Sequence, residues 1–173
     1  AEPCLGAAQH HKLSTGGGLL VEGGSATIRN TLFLGNASRG TGGGARINGG
    51  NATFENCIFA ENVAHSGAGV GAVRPNRVHF SGCSFEQNEA PNVPNGGNGG
   101  GLGIFEGPDF NSVTIENCAF VGNQAYLRGA GLFADSNSDY FFVNVEGSRF
   151  ISNRISAPGD CGGGAPDGSP QVE

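Results

Sequence analysis

A chain of 173 residues with 33 glycines, 37% hydrophobic and only 14% charged residues is long enough for one domain with a buried core, and too sparsely charged for a disordered tail. Its net charge of −6, with nine lysines and arginines and no basic cluster, removes nucleic acid from the expected partners. Apolar runs of a few residues exclude a membrane-spanning helix, and glycine without a Gly-X-Y period excludes collagen.

In chain order, residues 1–14 show no strand rhythm and are expected to form an N-terminal cap segment. The chain lacks methionine, begins AEPC and carries five cysteines, a pattern that points to an exported, oxidising setting, secreted or at the cell surface. TGGGLL at 15 opens the first repeat. Leu19 and Val21 alternate toward one side, then Ala26 and Ile28, with Thr27 and Arg29 on the opposite side of that second strand. Asn30 suits a left-handed corner, Thr31 is small and inward, and Phe33 and Asn36 complete the unit.

The unit returns. TGGGAR at 41, GAGVGA at 67, GGGLGI at 99 and RGAGLF at 128 keep step with Phe59, Phe85, Phe120 and Phe150, which lie 26, 26, 35 and 30 residues apart from Phe33 onward. Periods of this size indicate a solenoid, and the glycine content argues against helix at roughly 1 kcal/mol for each interior glycine. The expectation is an all-β, right-handed parallel β-helix of about five to six coils over residues 15–165. Stacked at the strand spacing of ~4.8 Å, the five phenylalanines would form an aromatic spine. Asn36, Asn62, Asn88, Asn123 and Asn153 would form an amide ladder beside it. Residues 90–100, 106–112 and 134–142 read as surface loops, CGGGAP at 161 begins a sixth coil, and 166–173 is a C-terminal tail.

Candidate chemistry is sparse. Glycoside hydrolysis needs two carboxyls ~5 to 9.5 Å apart, whereas Glu22 and Asp135 fall four coils apart, about 19 Å. Glu106 lies closer to Asp135, but both read as solvated loop acids. His10, His11, His65 and His79 are scattered; His10 and His11 with Cys4 lack a zinc-type spacing, and no cofactor or metal is expected. The glycine runs lead into no Gly-Lys-Ser. Asn36 and Asn51 stand in glycosylation sequons, Asn51 being the more accessible expectation. Cys57, Cys83 and Cys118 share an inward column as small buried residues. Cys4 and Cys161 stand near opposite ends, ~24 Å apart by coil spacing and beyond the ~7 Å reach of an intrachain disulfide, so a bond between subunits is expected. The outward positions of the first strands, Leu20, Gly71, Val73, Gly103, Phe105 and Phe133, form an apolar lateral face, a candidate interface for which a covering loop is the alternative.

The pairing of Gly-Gly-Gly-apolar signals with FLGN, FAEN, FEQN, FVGN and FISN resembles the repeats of polymorphic outer membrane proteins, found in bacterial surface autotransporters and related right-handed β-helix proteins. The resemblance covers about residues 15–165 and implies a surface passenger or an independent secreted relative; it implies no particular activity. The expected function is that of an extracellular structural protein whose partner is itself, stacking head to tail into filaments. An adhesin or passenger module binding a host or glycan surface is the alternative. A polysaccharide-active enzyme ranks third for want of a catalytic constellation.

Overall fold

The computed structural model describes residues 16–92, 97–105, 111–135 and 141–156. Among these residues, twenty short strands pair in parallel into four sheets of five strands each, so five coils stack around a four-sided core. The first face holds Leu19–Glu22, Ala45–Asn48, Val70–Val73, Leu102–Phe105 and Leu132–Asp135. The second holds Ser25–Arg29, Asn51–Glu55, Arg77–Ser81, Asn111–Glu116 and Phe141–Glu146. The third holds Leu32–Leu34, Ile58–Ala60, Ser84–Glu86, Ala119–Val121 and Arg149–Ile151. The fourth holds Ala37–Thr41, Val63–Ser66, Glu89–Ala90, Gln124–Ala125 and Arg154–Ile155.

The alternation in the sequence reveals two strands per coil; the structure has four. The reason is length: third-face strands span 3 residues and the later fourth-face strands span 2, too few to display a two-residue rhythm. Corners explain how so little chain turns four times. Asn30, Asn56, Gly82, Asn117 and Gly147 all have positive φ, between 51° and 61°, where a side chain other than Asn or Gly is strained. The next corner is left-handed at Gly35, Glu61, Gln87, Gly122 and Ser152, so this bend accepts strain at three non-glycine residues.

Register is carried by the inward columns. Phe33, Phe59, Phe85, Phe120 and Phe150 stack with ring centroids 4.7, 5.0, 4.5 and 4.6 Å apart, close to the inter-strand spacing. A second column joins it, because Phe54 stacks on Phe80 at 5.1 Å and meets Phe59 edge-on at 5.5 Å. Offset stacking along the axis and edge-to-face contacts across it let both columns fill the core without face-to-face repulsion. On the narrow fourth face a separate cluster of Ala64, Ala68, Ala90, Ala125 and Ala130 leaves room for the chain to turn.

Three expected loops are shorter than their sequence suggests. Ala90 ends a strand and Asn98 bridges Ser66 and Arg128, so the chain of the 90–100 insertion rejoins the stack by Gly97. Asn111 and Ser112, Ala134 and Asp135, and Phe141 and Phe142 likewise belong to strands, since each finds an in-register partner in a neighbouring coil. The cap, the sixth coil and the tail lie outside the described residues.

Candidate functional site

Asn62, Asn88 and Asn123 are fully buried polar residues, which requires every amide group to be satisfied. Each Nδ2 donates to the Oδ1 of the next coil's asparagine: Asn36 to Asn62 at 3.0 Å, Asn62 to Asn88, Asn88 to Asn123 and Asn123 to Asn153 at 2.9 Å. The same Oδ1 also accepts the backbone N–H of the preceding asparagine. The second Nδ2–H donates backward to a phenylalanine carbonyl, Asn88 to Phe59 at 2.9 Å and Asn123 to Phe85 at 2.8 Å. The ladder therefore has a direction, with donors pointing toward the C-terminal coil. It also locks the phenylalanine spine to the amide column.

The first and last rungs among the described residues are Asn36 and Asn153. Asn153 Nδ2 likewise donates backward, to the Phe120 carbonyl at 2.9 Å. The last described coil is also the most open: Val145, Phe150 and Ile155 are 40%, 47% and 43% exposed, whereas their partners one coil earlier, Ile115, Phe120 and Ala125, are fully buried. On the first coil Phe33 is 8% exposed. Cys4 and Cys161, expected to staple these ends, lie outside the described residues.

The outer faces differ from one another. On the first face the candidate lateral interface at Leu20, Val73, Phe105 and Phe133 is partly covered by its own residues. Gly71 and Gly103 are buried, Val73, Phe105 and Phe133 are half-buried, and only Leu20 is exposed. The Phe105 ring lies over Gly103, where a Cβ would come within 2.6 Å of it, and the Thr41 methyl fills the space above Gly71. Phe105 and Phe133 then tilt against each other at 5.6 Å. A run of exposed aliphatic residues sits on the third face, at Leu32, Leu34 and Ile58. Their signal was present in the sequence as apolar residues flanking the spine, Leu-Phe-Leu and Ile-Phe-Ala.

The second face is polar and forms a shallow trough of about 580 Å³ lined by Asn51, Thr53, Arg77, His79, Ser112, Thr114 and Glu116 among others. His79 Nε2 lies 3.2 Å from Glu116 Oε2, and Asn51 Nδ2 donates to Ser25 Oγ at 3.1 Å, so the sequon asparagine is engaged within its sheet. Arg29 forms a two-point bridge to Glu55, Nε to Oε2 at 2.6 Å and Nη2 to Oε1 at 3.1 Å. The hydrogen bond from Arg29 holds the Glu55 carboxyl below its ordinary range.

Glu22 and Asp135 occupy one outward column at opposite edges of the first face, Asp135 pairing with Phe105 and Glu22 with Asn48, so they form no carboxylate pair. His10, His11 and Glu106 lie outside the described residues, and His65 stands away from His79 on the fourth face. Among the described residues no group of three or more His, Cys, Asp or Glu side chains is arranged to hold a metal ion. Cys57, Cys83 and Cys118 are buried free thiols, with the Cys83 N–H donating to Cys118 Sγ at 3.4 Å. Burial pushes the Cys57 thiol up, and contact with Cys118 together with burial pushes Cys83 up, so neither is a nucleophile at neutral pH.

No curated protein and no solved structure matches the chain. A family model described as a right handed beta helix region matches residues 9–167. With five in-register parallel coils and that match across nearly its whole length, the chain belongs to the right-handed β-helix family.

Proposed function

We propose that this protein is an extracellular structural β-helix of the cell surface that associates with itself through its coil ends. The observation that carries the reading is the openness of the fifth described coil: a spine residue, Phe150, is nearly half exposed where its neighbour Phe120 is fully buried. Every sheet also ends in unpaired strand edges among the described residues, a surface that solenoids ordinarily cover. A second copy offers the same four-sided cross-section and the same columns. The resemblance of the paired glycine and FxxN motifs to polymorphic outer membrane protein repeats supports the surface setting. Cys4 and Cys161 would covalently join successive copies. Sedimentation velocity over a concentration series, with electron microscopy of the same samples, is expected to show lengthening particles. A single monomeric species at every concentration would remove the reading. Non-reducing gels, expected to show a ladder of multimers that collapses with reductant, test the disulfide separately.

A second reading, an adhesin that binds glycans, is favoured by the second-face trough, whose hydroxyl, amide, Arg77 and His79 groups suit sugar hydroxyls. A glycan array separates the two, since retention that is lost in Arg77→Ala and His79→Ala variants would favour the adhesin.

A further inference from the structure

We infer that Cys83 and Cys118 are a site of oxidative modification: a small-molecule disulfide converts the pair into one bond that staples the third coil to the fourth, while Cys57 stays a thiol. The inference is independent of self-association and concerns the middle of the stack. Cys57, Cys83 and Cys118 each follow a left-handed corner, at Asn56, Gly82 and Asn117, and the residues after them, Ile58, Ser84 and Ala119, pair in register. Neighbours in such a column lie one strand spacing apart, ~4.8 Å, inside the ~4.4 to 6.8 Å between Cα atoms that a disulfide spans.

Contact selects the pair. The Cys83 N–H donates to Cys118 Sγ at 3.4 Å, so that sulfur already lies between the third and fourth coils. Cys83 Sγ is 3.4 Å from the Phe54 carbonyl and 3.5 Å from that of Ser81, two weak thiol hydrogen bonds that a turn of the side chain toward Cys118 gives up. The two thiols also act on each other: their hydrogen bond pulls Cys118 down and pushes Cys83 up, whereas burial comes first for Cys57. The junction is the one a staple would serve most. Cys83 and Cys118 are 35 residues apart, against the 26 that separate Cys57 from Cys83, and a longer closed loop gives a larger stabilisation. On the fourth face the third coil offers only the two-residue strand Glu89–Ala90 to the coil that follows.

The chemistry is two thiol–disulfide exchanges. The Cys118 thiolate attacks one sulfur of the small disulfide and expels a thiolate; the Cys83 thiolate then attacks Cys118 Sγ and expels the second. The two cysteine protons end on the two leaving thiolates, so two protein thiols are oxidised and one small disulfide is reduced to two thiols. Since Cys83 and Cys118 are both 2% exposed, the exchange belongs to the folding chain, before burial raises the Cys83 thiol. A chain folded under reductant keeps all three thiols.

The test refolds the full chain from denaturant, either under reductant or with a mixture of reduced and oxidised glutathione. Free thiols are then trapped with N-ethylmaleimide in denaturant, and cleavage after glutamate places each of the five cysteines in its own peptide. Mass spectrometry is expected to find residues 62–86 joined to 117–146 as the predominant link within the column, with Cys57 labelled. The thermal midpoint of the oxidised chain should exceed that of the reduced chain by ~5 °C or more. Cys118→Ser, a residue the same column already accommodates at Ser148, should abolish both link and rise, and Cys57→Ser should keep both. Three labelled column cysteines after oxidative refolding would overturn the site, and a predominant Cys57–Cys83 link would overturn the pairing. A Cys83–Cys118 link without a higher midpoint would overturn the stapling.

Discussion

A Cβ built on Gly69 would lie 3.1 Å from the Asn88 Nδ2 and would run into the carbonyl oxygen of Gly101. The same relation holds for Gly18 with Asn36, Gly44 with Asn62, Gly101 with Asn123 and Gly131 with Asn153. The glycine at the third position of each Gly-Gly-Gly or Gly-Ala-Gly triplet is thus the space into which the ladder amide fits. The two sequence markers, glycine run and FxxN, are parts of one device, and neither works without the other.

That coupling predicts position-dependent costs for adding a methyl group. Gly69→Ala is expected to destabilise by about 3 kcal/mol, because the methyl meets backbone and a buried amide that cannot yield. Gly49→Ala is the control: φ is 71° but nothing lies within 4 Å of the added carbon, so only backbone strain of about 1 kcal/mol applies. Urea denaturation compares them, and equal losses would contradict the coupling.

Removing a rung tests the ladder directly. Asn88→Leu keeps the volume but strands the Asn62 donors, takes the side-chain donor from the Phe59 carbonyl, and leaves Asn123 Oδ1 with the backbone N–H of position 88 alone. A loss of about 3 kcal/mol or more is expected, measured by thermal or urea unfolding. A loss below about 1 kcal/mol would mean that the amide column contributes little.

For the spine, the end should differ from the middle. Phe85→Ala is expected to cost about 3 to 5 kcal/mol, as it opens a cavity between Phe59 and Phe120. Phe150→Ala should cost about 1 kcal/mol in dilute solution, since that ring is already nearly half exposed.

How much of this was legible follows from what repeats. Phe33, Phe59, Phe85, Phe120 and Phe150 lie at matching places in every unit, so the stacked fold could be read from spacing. The third-face strands and the later fourth-face strands could not, because strands of three or two residues carry no periodic signal. The partial cover over the lateral face was not legible for another reason: alternation reports which way Phe105 leaves the sheet, and not that its ring then bends back over Gly103.

The thiols offer a reactivity prediction. Cys57, Cys83 and Cys118 are buried, so iodoacetamide at neutral pH should leave them unmodified in the native protein and alkylate all three after unfolding; the Cys57 and Cys83 protons are also held more tightly, whereas the hydrogen bond with Cys83 pulls Cys118 down and leaves burial alone to protect it. Mass spectrometry of the labelled peptides reads this. Rapid native labelling of Cys83 would show that the core opens there.

Acid should weaken the Arg29–Glu55 bridge. Because the folded Glu55 pKa is depressed, its contribution is present above the unfolded carboxyl range and is lost as pH falls through the folded value. Stability against pH for the native chain and Arg29→Gln should converge at acid pH and separate slightly near neutrality, the separation shrinking in high salt. A gap that persists at acid pH would assign Arg29 another role.

The residue order alone determined a stack of coils and its register, since the same columns of phenylalanine, asparagine and glycine recur along the chain and parallel strands align like with like. Tertiary structure decided the number of faces, the fit of each ladder amide against a glycine, and which outward side chains meet solvent. Those depend on corner angles and on atoms from neighbouring coils, which a one-dimensional period does not encode.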